Sequence, residues 1–277
     1  MLSMLKLLVA TLLLSSVLGA NQNKIVEEYL EELFDNNPNI TSLKVKVVDN
    51  LDVESMKGWE AVVINVTGVL KQNNTSRNIK QKMVWFTDGV VITKDLTNMK
   101  TSESLRDLLN PEFKQSFYKK ENLIYGNEDA KHKVVLFSDP LCPFCRNFVP
   151  SAINYMKRKP NKFAVYYFHF PLPSIHPASI ELSQAAIAAE LKGHKNVVLN
   201  MYKVEIDPKE RDVNKILKAF NKTMKTDIKP ADLRTKEVME GFASDMVIAD
   251  NLMVQGTPTV FLDGKLDRTK KKYQKVK

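Results

Sequence analysis

The chain has 277 residues, enough for one large domain or two ordinary ones. With 44% hydrophobic and 26% charged residues it has a globular composition, which excludes a disordered, collagen-like or multispan membrane chain. A net charge of +9 favours anionic surfaces, two cysteines are too few for a disulfide-stapled mini-scaffold, and none of the nine glycines falls in a GxxxxGK[ST] phosphate loop.

Residues 1–20 (MLSMLKLLVATLLLSSVLGA) carry one charge, Lys6, then an apolar run over Leu7–Leu14 broken only by Thr11, then the small pair Gly19-Ala20. This is the order of a secretory signal peptide, and the apolar run falls short of the roughly 20 residues that span a bilayer. Cleavage is expected just after Gly19 or Ala20, releasing a soluble protein into an exported, oxidising compartment.

Residues 24–35 place Ile25, Tyr29, Leu30 and Leu33 on one side at helical spacing. Strand-like runs follow at 43–48, 61–69, 79–87 and 90–93, with turn residues at 73–76 and at Asp88-Gly89. A helix followed by an antiparallel meander predicts a small α+β module over residues 21–110, without cysteine, histidine or a carboxylate constellation. Residues 101–126 also show helical spacing, with Ser104 and Asp107 as a capping pair and Pro111 as an interruption. The expectation is a linker helix over 111–126 and a second domain over 127–277.

That domain opens with the continuous apolar run Lys133–Ser138, the pattern of a strand buried on both faces. A helical segment follows at once, then a second strand over Phe163–Phe170, which together make a βαβ unit. A long helical insert is expected over about 171–255, broken at Gly193, Pro208 and Pro230. The chain returns to strand at Thr259–Leu262 and ends in a basic, solvated tail holding Lys270, Lys271, Lys272, Lys275 and Lys277. Charge runs of this kind are ordinary solvated surface, and no nucleic-acid partner is expected.

The only cysteines, Cys142 and Cys145, are spaced C-x-x-C directly after the buried strand and at the start of the helix. A helix N-terminus presents unpaired N–H groups and a partial positive charge, which favour the thiolate, the species that attacks disulfides. Cys142, nearer the helix mouth, is the expected nucleophile, and Cys145 resolves the mixed disulfide from one turn inside. Pro143 suits the first turn because its missing N–H costs nothing there. A structural zinc site lacks a second clustered pair of ligands, and a structural disulfide closing so short a loop adds little stability. The redox reading therefore leads, with no metal. Gly256-Thr257-Pro258-Thr259 precedes the last strand, where a cis X–Pro bond makes a tight turn.

These residues resemble a known family. Residues from about 130 to 265 are similar to the thioredoxin-fold disulfide oxidoreductases of the bacterial periplasm, and FSDPLCPFCRNF (137–148) looks like the active-site stretch of the dimeric DsbC/DsbG proteins, DsbG above all. Leu136 stands where thioredoxin and DsbA carry a buried acid, and Thr257 where DsbA usually has valine; both side with DsbC and DsbG. The insert is nearer to DsbA's in length. The resemblance implies an α/β thioredoxin-like domain with a helical insertion behind an N-terminal dimerisation module. It implies a redox-active Cys142–Cys145 disulfide and no other cofactor. Pro143 and Phe144 would tune the pair, and Thr257 and Pro258 would align an extended substrate segment. The implied partners are a second copy of the chain, unfolded or misoxidised exported proteins, and a membrane redox partner of the DsbD or DsbB kind. The activity implied is thiol–disulfide exchange or disulfide isomerisation. The alternatives are a DsbA-like dithiol oxidase and a chaperone-like holdase dimer.

Overall fold

The computed structural model describes residues 21–276 apart from 54–55, 73–74, 110 and 160, so the expected signal peptide lies outside the described residues. The described residues divide into two compact units, 21–109 and 111–276.

In the first unit, helix α1 (residues 21–35) precedes an antiparallel meander in the order β1-β2-β3-β4, formed by Ile40–Asp52, Glu60–Gln72, Thr75–Thr87 and Ile92–Thr93. The apolar side of α1 differs from expectation. Val26 and Leu30 are buried against Val45, Val47, Val62, Ile64, Val66 and Trp85, with Phe34 packed alongside, while Ile25, Tyr29 and Leu33 are exposed. Both sets have helical spacing, and the face is decided one residue on by two carboxylates. Glu27 and Glu31 accept the backbone N–H groups of Val47 and Val45, each at 2.8 Å, and so satisfy donors along the edge strand β1. At the Asp88-Gly89 turn, Asp88 Oδ1 accepts the N–H groups of Val90 and Val91 at 3.0 and 2.7 Å, and Gly89 takes a φ of +90°.

The second unit is built on a five-stranded sheet, β5-β7-β6-β8-β9, formed by Leu123–Tyr125, Phe163–His169, His132–Ser138, Thr259–Leu262 and Lys265–Leu266. β6 and β7 are parallel, and α3 (Pro143–Lys157) connects them, giving the βαβ unit that the apolar runs predict. β8 pairs with β6 antiparallel. Every residue of β7 is buried, and separate hydrophobic clusters cover the two faces of the sheet. The insert holds α4 (Ser179–Leu191), α5 (Val197–Met201), α6 (Val213–Met224) and α7 (Lys236–Asn251).

Two expectations are corrected. The segment 111–126 is not a linker helix. Between α2 (Leu105–Leu108) and β5 it makes only the short 3-10 turns Gln115–Phe117 and Lys120–Asn122. Burial decides against the helix. Phe113 donates its N–H to Gly264 O at 2.7 Å and packs its ring against Phe117, Tyr118, Phe168 and Phe261, plugging one face of the sheet. The second unit thus begins well before Asn127, and Leu123–Tyr125 adds a strand to it. The C-terminal tail is not simply solvated either: Tyr273 is buried, and Lys162 Nζ donates to Val276 O at 3.0 Å.

Candidate redox site

The site forms where β6 hands over to α3. Cys142 is the N-cap of the helix in an extended conformation (φ −65°, ψ 121°), and Pro143 occupies the first turn, where no N–H is needed. The approach to the helix is tied down by Asp139, which is fully buried. Its Oδ1 accepts the Leu141 N–H at 2.7 Å; its Oδ2 accepts the Leu172 N–H at 2.7 Å and bonds His176 Nδ1 at 3.0 Å and Ser179 Oγ at 3.2 Å. Arg146 donates from Nε to Pro140 O at 3.1 Å and from Nη2 to Val204 O at 2.6 Å, fastening the active-site turn to the insert.

Both cysteines are free thiols, and their surroundings differ. Cys142 is 5% exposed and Cys145 is fully buried, on the helix face it shares with Val149, Ala152, Ile153 and Met156. Burial pushes the Cys145 thiol up to about 11, and the Cys142 sulfur adds to the rise; the Ser138 and Thr257 hydroxyls and the Asp139 backbone N–H oppose it. The pair is therefore asymmetric, one sulfur at the helix mouth and one held beneath it as a thiol.

The loop before β8 closes on the same sulfurs. The Thr257–Pro258 peptide bond is cis, and Cys142 Sγ donates to Thr257 O at 3.7 Å. Thr257 Oγ1 is buried without a conventional hydrogen-bond partner. Phe144, between the cysteines, is 76% exposed. The structure thus brings Cys142, Cys145 and Thr257 together, sets Pro143 and Phe144 between the sulfurs, and sets Pro258 at the cis turn.

Sequence reasoning missed the polar groups behind the pair. An Asp followed by Pro just before the CxxC was a legible turn signal for Asp139; its partners His176 and Ser179 come from the insert and leave no local trace. The same holds for a buried hydroxyl cluster in which Ser138 Oγ meets Tyr202 Oη at 2.7 Å and Tyr202 Oη meets Tyr167 Oη at 2.9 Å. Leu136, at the position where an acid is absent, is fully buried and apolar. Among the described residues no group of three His, Cys, Asp or Glu is placed to hold a metal. Elsewhere in the unit a cavity of about 670 Å³ is lined by Tyr167, His169, Glu190 and Asp245 among others. Burial pushes the Glu190 and Asp245 carboxyls each up to about 7 and the His169 imidazole down to about 3.

A thioredoxin-type sheet, a CxxC pair at a helix start and a cis-proline loop against it define a thiol–disulfide oxidoreductase domain. Proteins of this kind use their own redox-active cysteines and no external cofactor. The thioredoxin family model matches residues 119–277, and the chain belongs to that family. Among curated relatives it is 28% identical over 153 residues to "Probable disulfide bond formation protein D" of Bacillus cereus, covering 51% of this chain and 69% of that one. It is 26% identical over 147 residues to the "Na(+)/H(+) antiporter NhaA 1" of Mycolicibacterium gilvum, of which it spans only 24%. Similar solved structures include Proteus mirabilis ScsC in a transitional conformation, 24% identical, covering 55% of this chain and 67% of that one with a TM-score of 0.45. Oxidised BdbD of Bacillus subtilis is 20% identical, covering 56% and 88%, with a TM-score of 0.44. No helix among the described residues is long and apolar enough to cross a membrane.

Proposed function

We propose that the protein is an exported, periplasmic thiol–disulfide oxidoreductase that shuffles disulfides in other exported proteins through Cys142 and Cys145. The asymmetry of the two sulfurs carries the reading: Cys142 sits at the helix start beside the Thr257 carbonyl, and Cys145 lies fully buried beneath it. The Cys142 thiolate attacks one sulfur of a substrate disulfide, forming the mixed disulfide and releasing the other substrate sulfur as a thiolate. Attack by Cys145 on Cys142 Sγ then frees the second substrate thiol, its proton passing to the leaving sulfur. The substrate disulfide ends as a dithiol and the pair as a disulfide; the reverse sequence delivers a disulfide. Pro143 sets the poise of the pair, the exposed Phe144 presents an apolar surface to the substrate beside it, and Thr257 and Pro258 align an extended substrate segment.

A DsbC/DsbG-type isomerase working as a homodimer through the first unit is the form the active-site stretch favours. Exposed Ile25, Tyr29 and Leu33 on α1 offer an apolar stripe for a second copy. A DsbA-like oxidase is favoured instead by the multi-helix insert and by the disulfide bond formation relatives. A membrane partner of the DsbD kind would keep the pair reduced and one of the DsbB kind would keep it oxidised. Cys142→Ser is expected to lower insulin reduction and refolding of scrambled ribonuclease by about a thousandfold, since the attacking sulfur is gone; retention of either activity overturns the reading. Alkylation trapping of the pair in periplasmic extracts then separates isomerase (reduced) from oxidase (oxidised).

A further inference from the structure

Three hydroxyls on three separate elements surround Cys145: Tyr167 and Tyr202 share its buried cluster, and the Ser138 hydroxyl hydrogen-bonds its sulfur and favours the thiolate. Ser138 ends β6, Tyr167 is on β7, and Tyr202 follows α5 in the insert; all three are buried. Ser138 Oγ meets Tyr202 Oη at 2.7 Å, Tyr202 Oη meets Tyr167 Oη at 2.9 Å, and Tyr167 Oη reaches Ser138 O at 3.4 Å. We propose that Ser138, Tyr202 and Tyr167 form a reversible hydroxyl chain that serves Cys145 in both of its protonation states and so sets how readily it resolves the mixed disulfide. This rests on the exchange reading above and deepens it.

Counting protons gives the argument. Each hydroxyl has one proton to donate and lone pairs to accept with. If Tyr167 donates to the Ser138 carbonyl, then Tyr202 donates to Tyr167 and Ser138 donates to Tyr202. Ser138 Oγ is then left to accept from the Cys145 S–H, the arrangement that suits a thiol. Rotating the three protons reverses the chain: Tyr167 donates to Tyr202, Tyr202 to Ser138, and Ser138 to the Cys145 sulfur, the arrangement that suits a thiolate. The reversal orphans nothing, because the Ser138 carbonyl still accepts the Phe170 N–H at 2.9 Å. The three hydroxyls themselves stay neutral in both states; the only charge that comes and goes is on the Cys145 sulfur. Burial holds both phenols far above the ordinary range, so they remain donors throughout. With an apolar Leu136 on the same strand, β6 offers no carboxylate at that position, and a neutral chain takes its place.

The titratable groups facing Cys145 are Cys142 on its own helix, Tyr167 on β7 and Tyr202 in the insert, with Asp139 beside Tyr202. Ser138, Tyr202 and Tyr167 are positioning residues: in resolution the Cys145 proton leaves with the departing substrate sulfur, and the chain turns over to follow the charge.

The test uses the full-length protein carrying a preformed mixed disulfide between Cys142 and a small thiol, with the release rate followed against pH. Ser138→Ala is expected to slow resolution at pH 7 about five- to tenfold and to move its pH profile about one unit higher, the loss of one hydrogen bond to an ionising sulfur. Tyr202→Phe keeps the ring and shifts both in the same direction by less, and Tyr167→Phe by least. Formation of the mixed disulfide stays at the rate of the unaltered protein. If Ser138→Ala does not fold, Tyr202→Phe decides alone. A role confined to packing would lower thermal stability and leave the pH profile in place, and superimposable profiles overturn the chain while leaving the exchange reading intact. Failure of the unaltered protein to form a mixed disulfide at Cys142 would sink that reading instead. Titration of Cys145 by thiolate absorbance in Cys142→Ser, with and without Tyr202→Phe, still decides the chain: an upward shift supports it and no shift overturns it.

Discussion

The two units of this chain bury their interiors differently. Of the ten buried polar or charged residues described, only Thr87 lies in the first unit; Ser138, Asp139, His169, His176, Ser179, Ser183, Gln184, Asp245 and Asp267 lie in the second. The first unit keeps its polar chemistry at the margin, where Glu27 and Glu31 satisfy an edge strand and Asp88 shapes a turn. The second buries Ser138, Asp139, His176 and Ser179 by the reactive pair, hydrogen-bonded to one another, to Tyr202 or to backbone. The meander is apolar inside but for Thr87, and the buried polar residues gather in the unit that holds the cysteine pair.

The sharpest way to break this comparison is to remove equivalent aspartates. Asp139 and Asp88 do the same local work, each accepting the N–H two residues on. Asp139 also holds Leu172, His176 and Ser179 and is fully buried, whereas Asp88 is exposed. Asp139→Ala is expected to cost about 3–5 kcal/mol in urea unfolding, since it strands several buried donors at once. Asp88→Ala should barely move the midpoint. Equal losses would show that burial is not what distinguishes the units.

How much of this could be read beforehand follows the same division. The β6–α3–β7 unit and its cysteines were legible because the signals are local: a continuous apolar run, C-x-x-C, proline in the first turn. The meander was legible from strand runs and from Asp88-Gly89. Three things were not. The face of α1 turned on Glu27 and Glu31 reaching the backbone of β1, which helical spacing does not encode. The segment 111–126 has helical spacing, yet Phe113 is pulled onto the sheet by Phe168 and Phe261, about 55 and 148 residues away in sequence. The hydroxyl chain joins positions 138, 167 and 202, and no single window contains it.

A smaller effect sharpens the comparison through pH. Glu190 titrates near 7 in the folded second unit against an ordinary glutamate value near 4.5, raised first by burial and then by the Asp245 charge. The folded state therefore binds its proton more tightly than the unfolded one, so this group's contribution is full below pH 4.5 and is lost as pH rises towards about 7. Glu190→Gln cannot ionise. Its thermal midpoint should rise relative to the unaltered protein as pH goes from 4.5 to 8, and taking that difference cancels the opposite slope from His169. A constant difference across the range would show that Glu190 ionises freely in the folded protein.

The smallest expected change in stability belongs to the residue most exposed at the site. The Phe144 ring, 76% exposed between two buried sulfurs, touches little of its own fold, so its removal leaves almost no cavity. Phe144→Ala should keep the thermal midpoint within about a degree, as for a surface change of under 0.5 kcal/mol. Its effect should fall on substrates large enough to cover the ring. Exchange with an unfolded protein disulfide loses apolar contact and slows about three- to tenfold, whereas exchange with glutathione, too small to span both sulfur and ring, stays near its original rate. Equal slowing for both would mean that Phe144 acts on the poise of the cysteine pair rather than on what it recognises, and a measured equilibrium with glutathione would then shift with it.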